Sequence, residues 1–193
     1  MNFEAMMVST GVVALAEMGD KTQLLAFLLA ARFKKPIPII LGILIATLLN
    51  HGLAGALGTW ITTILSPELL RWLLGLSFLG MAFWILIPDK IDDTDQPNIA
   101  RYGVFITTLV TFFLAEIGDK TQIATVALAT NYSAPITVVI GTTLGMLLAD
   151  VPAVFLGNSF AKRLPLRLIH LIAAGIFAVL GLLVLFKVDQ FIK

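Results

Sequence analysis

Two copies of one charged octapeptide stand in an otherwise apolar chain. Ala16-Glu17-Met18-Gly19-Asp20-Lys21-Thr22-Gln23 recurs 99 residues later as Ala115-Glu116-Ile117-Gly118-Asp119-Lys120-Thr121-Gln122. Glu17 and Asp20 are three residues apart, so on a helix they share a face, and so do Glu116 and Asp119. Each copy is then a blade of two carboxylates, with Thr22, Gln23, Thr121 and Gln122 adding neutral oxygens. Carboxylates with no soft ligand beside them suit a hard divalent cation, Mg²⁺, Ca²⁺ or Mn²⁺. The chain has no cysteine, which excludes disulfides, thiolate nucleophiles, iron–sulfur clusters and cysteine-held zinc. Its two histidines are His51 and His170.

Charge counting sharpens this. Lys21 and Lys120 can neutralise two of the four carboxylates, and the two negative charges left over match one divalent ion. Carboxylates crowded in a low dielectric cannot all stay ionised, so an entering metal must displace protons. Such a site couples metal to proton by competition. The plainer role is a set of buried ion pairs: Glu17 and Lys21 are four apart, as are Glu116 and Lys120, so each can pair within its own helix. Lys21 and Lys120 are then counter-ions or coupling elements. Gly19 and Gly118 allow either a close helix approach or a local break that frees backbone carbonyls.

The elements that carry these motifs belong in a bilayer. Hydrophobic residues make up 59% of the 193 and charged residues 13%, against ~25% charged in a soluble domain. Mean hydropathy is +0.98. A net charge of +1 offers no basic stripe for nucleic acid. Spans need ~20 apolar residues, and the pattern predicts six helices, at 4–30, 38–63, 69–87, 102–130, 135–158 and 167–187. Charge at a helix centre costs ~2.5–3.5 kcal/mol per Asp, Lys or Arg, so two Asp–Lys pairs approach roughly 10 kcal/mol, and such residues need a reason to be there. The N-terminus reads Met1-Asn2-Phe3-Glu4, with no basic region of a signal peptide.

The repeat organises the chain as residues 1–88, an acidic linker 89–101, and residues 102–193. Pro36 pairs with Pro135, Gly42 with Gly141 and Gly58 with Gly157 at the same spacing, while the third helices align loosely. Three helices per half put the halves in opposite orientations, so the expected fold is an all-α polytopic membrane protein of six transmembrane helices in two inverted repeats. That is a plan of secondary transporters, with the site at mid-depth where the repeats meet. Arg32, Lys34, Lys35, Lys90, Arg101, Lys162, Arg163 and Arg167 fall on one side; Arg71, Lys187 and Lys193 fall on the other. The richer side is cytoplasmic by the positive-inside rule, which puts the linker inside and both termini outside.

Three further polar residues fall in the spans. Asp150 lies two residues before Pro152 and serves as an auxiliary proton or metal group or as a capped, cavity-facing carboxylate. Asn50 and His51 occupy the equivalent place in the first half, His51 opposite Asp150; a lone histidine there is more often structural. His170, near the start of the last helix, reads as interfacial. Gly141-Thr142-Thr143-Leu144-Gly145 is a small-residue helix-packing pattern, answered by Gly42 and Ala46.

With its two E-x-G-D-K-T copies, the chain resembles the cation–proton antiporters that include Golgi and chloroplast manganese/calcium transporters and bacterial manganese exporters of the MneA type. The resemblance covers nearly the whole chain, and both motifs match. It implies that Glu17, Asp20, Glu116 and Asp119 bind the cation, that Lys21, Thr22, Lys120 and Thr121 complete the motif, and that Mn²⁺ or Ca²⁺ moves in exchange for protons. The expected protein is a bacterial inner-membrane exporter, not an enzyme. It uses no cofactor, carries Mn²⁺ (Ca²⁺ second) as substrate, and has metal ion, protons and lipid as partners. An exporter of basic amino acids and a passive divalent-cation channel are the rivals; a membrane scaffold is a third.

The orientation can be checked without background, because the chain has no native cysteine. In intact cells an impermeant thiol reagent should label cysteines placed at Asn2 and Lys193 and spare Asp93→Cys. Labelling of position 93 from outside would reverse the orientation.

Overall fold

The computed structural model describes residues 2–87, 103–156 and 165–186, which form eight helices and no strand. The acidic linker 89–101 lies outside the described residues. In chain order the helices are α1 (Phe3–Glu17), α2 (Lys21–Phe33), α3 (Pro36–Ile64), α4 (Pro67–Trp84), α5 (Val104–Glu116), α6 (Lys120–Tyr132), α7 (Pro135–Leu156) and α8 (Leu166–Leu185).

The spans expected at 4–30 and 102–130 are each broken in two. Gly19 and Gly118 sit at φ +86° and +77°, a left-handed backbone that ends a right-handed helix and that glycine adopts without strain. Met18 and Ile117, just before them, are extended, and so are Asp20 and Asp119 just after, so the chain restarts as a new helix at each lysine. Elsewhere local signals explain the ends. Asn2 caps α1 by accepting from the Ala5 N–H (3.2 Å), and Pro36 and Pro67 occupy first-turn positions where a missing N–H costs nothing.

Segments α3, Pro135–Phe155 of α7 and Arg167–Leu185 of α8 are each long and apolar enough to cross a membrane. The burial pattern is that of a multi-pass membrane protein: Leu53, Trp60, Phe83, Leu148 and Phe155 are exposed, whereas Glu17, Asp20, Thr22, Gln23, Asn50 and His51 are buried. Lipid solvates the apolar exterior, and the polar groups have only one another.

Glycines set the closest approaches. Helix α7 crosses α1 at Gly141 and Gly145, where an added Cβ would stand 2.7 Å from the Met6 and Thr10 carbonyls. Gly42 on α3 meets Thr108 on α5 in the same way, at 2.7 Å. The small-residue pattern at 141–145 is therefore answered by α1, and Gly42 by α5: in each case a glycine of a second span takes a broken helix from the other half of the chain. Helix α3 also packs on α6 and α7, and α4 lies along α8. Helices α4 and α8 start 99 residues apart, at Pro67 and Leu166, and Phe78 and Phe177, also 99 apart, are buried with their rings in tilted contact at 6.3 Å. Their sequences had diverged; the shared apolar requirement hid the register.

Gly145→Ala should destabilise the fold by about 1–3 kcal/mol, as overpacking against rigid backbone does. Gly175→Ala, with nothing within 4 Å of the new Cβ, should be neutral or stabilising. Thermal unfolding of purified protein, followed by tryptophan fluorescence, compares the two.

Candidate cation-binding site

The two helix breaks place all four motif carboxylates in the interior, with Glu17 and Glu116 at 0% exposure, Asp20 at 1% and Asp119 at 4%. Glu17 ends α1 and its carbonyl accepts from the Asp20 N–H (3.0 Å); Glu116 and Asp119 repeat this at 3.1 Å. Glutamines hold the turns: Gln23 Oε1 accepts from the Gly19 N–H (2.9 Å) and Gln122 Oε1 from the Gly118 N–H (2.8 Å). Threonines hold the glutamates: Thr22 donates to Glu17 Oε2 (2.5 Å) and Thr121 to Glu116 Oε2 (3.0 Å). Each residue of the motif thus has a separate task, and the tasks recur in both copies.

The lysines depart from the helical reading. The breaks remove the continuous helix on which Glu17 and Lys21, or Glu116 and Lys120, would be neighbours one turn apart. Lys21 instead pairs with Asp119 across the repeat (3.2 Å), and Lys120 with Asp20. Glu17 and Asp20 likewise share no helix face; the turn at Gly19 brings them into one centre. The two pairs differ in access: the Lys21 side chain is 28% exposed and that of Lys120 only 6%.

One oxygen each from Glu17, Asp20 and Asp119 lies within 4.8 Å of the others. A Ca²⁺ ion holds its oxygens at 2.3–2.6 Å and a smaller ion at about 2.1 Å, so oxygens this far apart can share one cation. Glu17 Oε1, Glu116 Oε1 and Asp119 Oδ2 are buried without a hydrogen-bond partner. Buried carboxylate oxygens left in that state are costly unless something else takes them.

Asp150, Asn50 and His51 are buried as well. Asp150 is wholly buried with both oxygens unpartnered, near enough for its charge to act on Glu17 and Glu116. Its neighbour Ala149 accepts through its carbonyl from Gln23 Nε2 (2.9 Å), which ties α7 to the first break. Asn50 donates to the Phe113 carbonyl on α5 (3.1 Å), and His51 is wholly buried with both ring nitrogens unpartnered. His170 is not merely interfacial: its Nε2 donates to the Met18 carbonyl (2.7 Å), inside the first break. One signal in the sequence could have found it, since His170 lies 99 residues after Arg71 and both are polar positions in apolar helices.

Known proteins resemble the chain over most of its length. A protein-family model described as divalent cation/proton antiporter GDT1 matches residues 5–93 and 104–190. The chain is 53% identical over 176 residues to a putative manganese exporter of Vibrio cholerae, covering 91% of this chain and 87% of that one. It is 29% identical over 201 residues to GDT1-like protein 3 of Oryza sativa, covering 91% and 71%. It is 28% identical over 185 residues to a GDT1-like protein of Synechocystis, covering 86% and 89%. No solved structure matches.

Removing one member of a sealed ion pair strands the other. Lys120→Met should cost about 3–5 kcal/mol of stability, and combining it with Asp20→Asn should recover part of the loss. Lys21→Met should cost less, because solvent reaches that lysine. Denaturation midpoints of the variants in detergent give the comparison.

Proposed function

The chain belongs to the GDT1 family of divalent cation/proton antiporters, and from that premise we propose that it exports Mn²⁺, with Ca²⁺ the second substrate, against protons that enter. The observation that carries this is the buried cluster of Glu17, Asp20 and Asp119, with oxygens within 4.8 Å of one another. Hard oxygens and no thiolate or free imidazole among them favour Mn²⁺ and Ca²⁺ over softer metals. The relative from Vibrio cholerae named as a putative manganese exporter supports Mn²⁺ as the first choice.

In this reading Glu17, Asp20, Glu116 and Asp119 take the cation, and the two lysines are its internal substitutes. Lys21 and Lys120 hold the aspartates until a divalent ion displaces their ammonium groups. Thr22 and Thr121 aim the glutamates, while Gln23 and Gln122 keep each break in shape. Asp150 and His51, wholly buried at equivalent helix positions, are the auxiliary groups for proton passage, and Asn50 anchors the segment that carries His51. Protons and metal compete for the same carboxylates, so one is bound when the other leaves. No covalent step is involved.

Residues 1–88 and 102–193 act as two inverted halves joined by the cytoplasmic linker 89–101, with broken helices α1–α2 and α5–α6 counting as one span each. The reciprocal Lys–Asp pairs and the equivalent Phe78–Phe177 contact support a two-fold relation between them. Rocking of the halves would expose the centre first to the cytoplasm and then outside. The protein would lie in the bacterial inner membrane with both termini outside.

Purified protein in liposomes carrying a pH dye tests the reading. Mn²⁺ should drive proton movement, and Glu17→Gln, Asp20→Asn, Glu116→Gln and Asp119→Asn should each lose at least about tenfold in apparent Mn²⁺ affinity, equivalent to about 1.4 kcal/mol. Protonation removes the ligands, so Mn²⁺ affinity should fall as pH falls. Mn²⁺ flux without proton movement would make the protein a channel. Lysine transport without Mn²⁺ transport would make it an amino-acid exporter.

A further inference from the structure

The two halves repeat the turn, threonine and lysine contacts of the motif, yet they differ at a pair of equivalent positions outside it. Position 71 on α4 is arginine and position 170 on α8 is histidine, 99 residues apart, each near the start of its helix. Both side chains donate to a backbone carbonyl, and the two carbonyls are not equivalent. His170 Nε2 donates to Met18 in the α1–α2 break (2.7 Å). Arg71 Nη1 donates to Leu185 at the end of α8 (2.9 Å) and not to Ile117, the residue of the α5–α6 break that corresponds to Met18.

The breaks differ in the same sense. At the first, Met18 and Gly19 are half-buried, and Asp20 is sealed by Lys120, whose side chain is 6% exposed. At the second, Gly118 is exposed, Ile117 is 54% exposed, and the lysine paired with Asp119 is 28% exposed. The break that has a donor on its carbonyl is the closed one. A carbonyl at the end of a helix lacks an intrahelical partner, so a side chain that caps it holds that turn in place.

We propose that His170 and Arg71 are alternating latches on the two helix breaks. In the state described here His170 holds the first break shut and the second is released. In the opposite state Arg71 leaves the Leu185 carbonyl for that of Ile117, and His170 lets Met18 go. His170 is then a positioning residue for Glu17 and Asp20, and Arg71 for Glu116 and Asp119. The latch rests on the antiporter reading for the meaning of its second state. It also explains why two equivalent positions keep donors in apolar helices although neither touches the four motif carboxylates, Arg71 pairing with Glu68 on its own helix (3.6 Å).

Amide hydrogen exchange of the metal-free protein in lipid nanodiscs reads both breaks at once and needs no transport. In the parent protein residues 117–123 should exchange faster than 18–24. His170→Leu should speed exchange at 18–24 and slow it at 117–123, each by about fivefold, the worth of one hydrogen bond. His170→Gln, which keeps an N–H donor, should behave like the parent, and adding Arg71→Leu to His170→Leu should abolish the slowing at 117–123, because Ile117 then has no donor in the second state. If His170→Leu does not fold, His170→Ala takes its place and decides by the same criterion. A change of the same sign in both segments, no change in either, or a glutamine variant that behaves like leucine would overturn the latch. The liposome assay on the parent protein judges the antiporter reading separately, so either can fail alone.

Discussion

Four carboxylates and two ammonium groups share one buried volume, and that imbalance governs the molecule. In a low dielectric an unpaired charge is expensive, so each lysine must stand against an acid. The geometry then pairs every lysine with the aspartate of the other repeat. The pairing ties the two copies of the motif to each other. It also leaves oxygens of Glu17, Glu116 and Asp119 without partners, a deficit that a divalent cation would fill.

The broken helices follow from the same constraint. A continuous helix would point Glu17 and Lys21 along one face and satisfy the acid locally, leaving little for a cation to do. The left-handed turns at Gly19 and Gly118 prevent that. They swing each lysine across to the other copy and let the glutamines and threonines of the motif act as braces. Holding two such turns together needs helices that approach closely. The glycines at 42, 141 and 145 provide the approach by letting backbone meet backbone or a threonine.

Polar side chains tie the broken helices to the long ones. Gln23 links the first break to α7 beside Asp150, and Asn50 links α3 to α5 beside His51. Each broken helix is thus fastened to a long helix from the other end of the chain.

Much of this was legible in the residues alone. The repeated octapeptide, the excess of carboxylate over lysine and the lack of cysteine pointed to a hard cation. Composition placed the chain in a membrane, because too little charge was present to solvate a surface. The helix starts read at 38, 69 and 135 lie within about two residues of those found at Pro36, Pro67 and Pro135. These are properties of residue type and local spacing, which the chain carries with it whatever it packs against. The partners of Lys21 and Lys120, the splitting of two spans, the packing of Gly141 and Gly145 on α1 and the reach of His170 to Met18 were not legible. Helical spacing assigned each lysine to the glutamate one turn away, and glycine left both a close approach and a break open. Only the tertiary structure chose, because a residue's neighbour across a repeat depends on how the helices cross, and in an apolar interior almost any side chain satisfies the pattern while one geometry satisfies the charges.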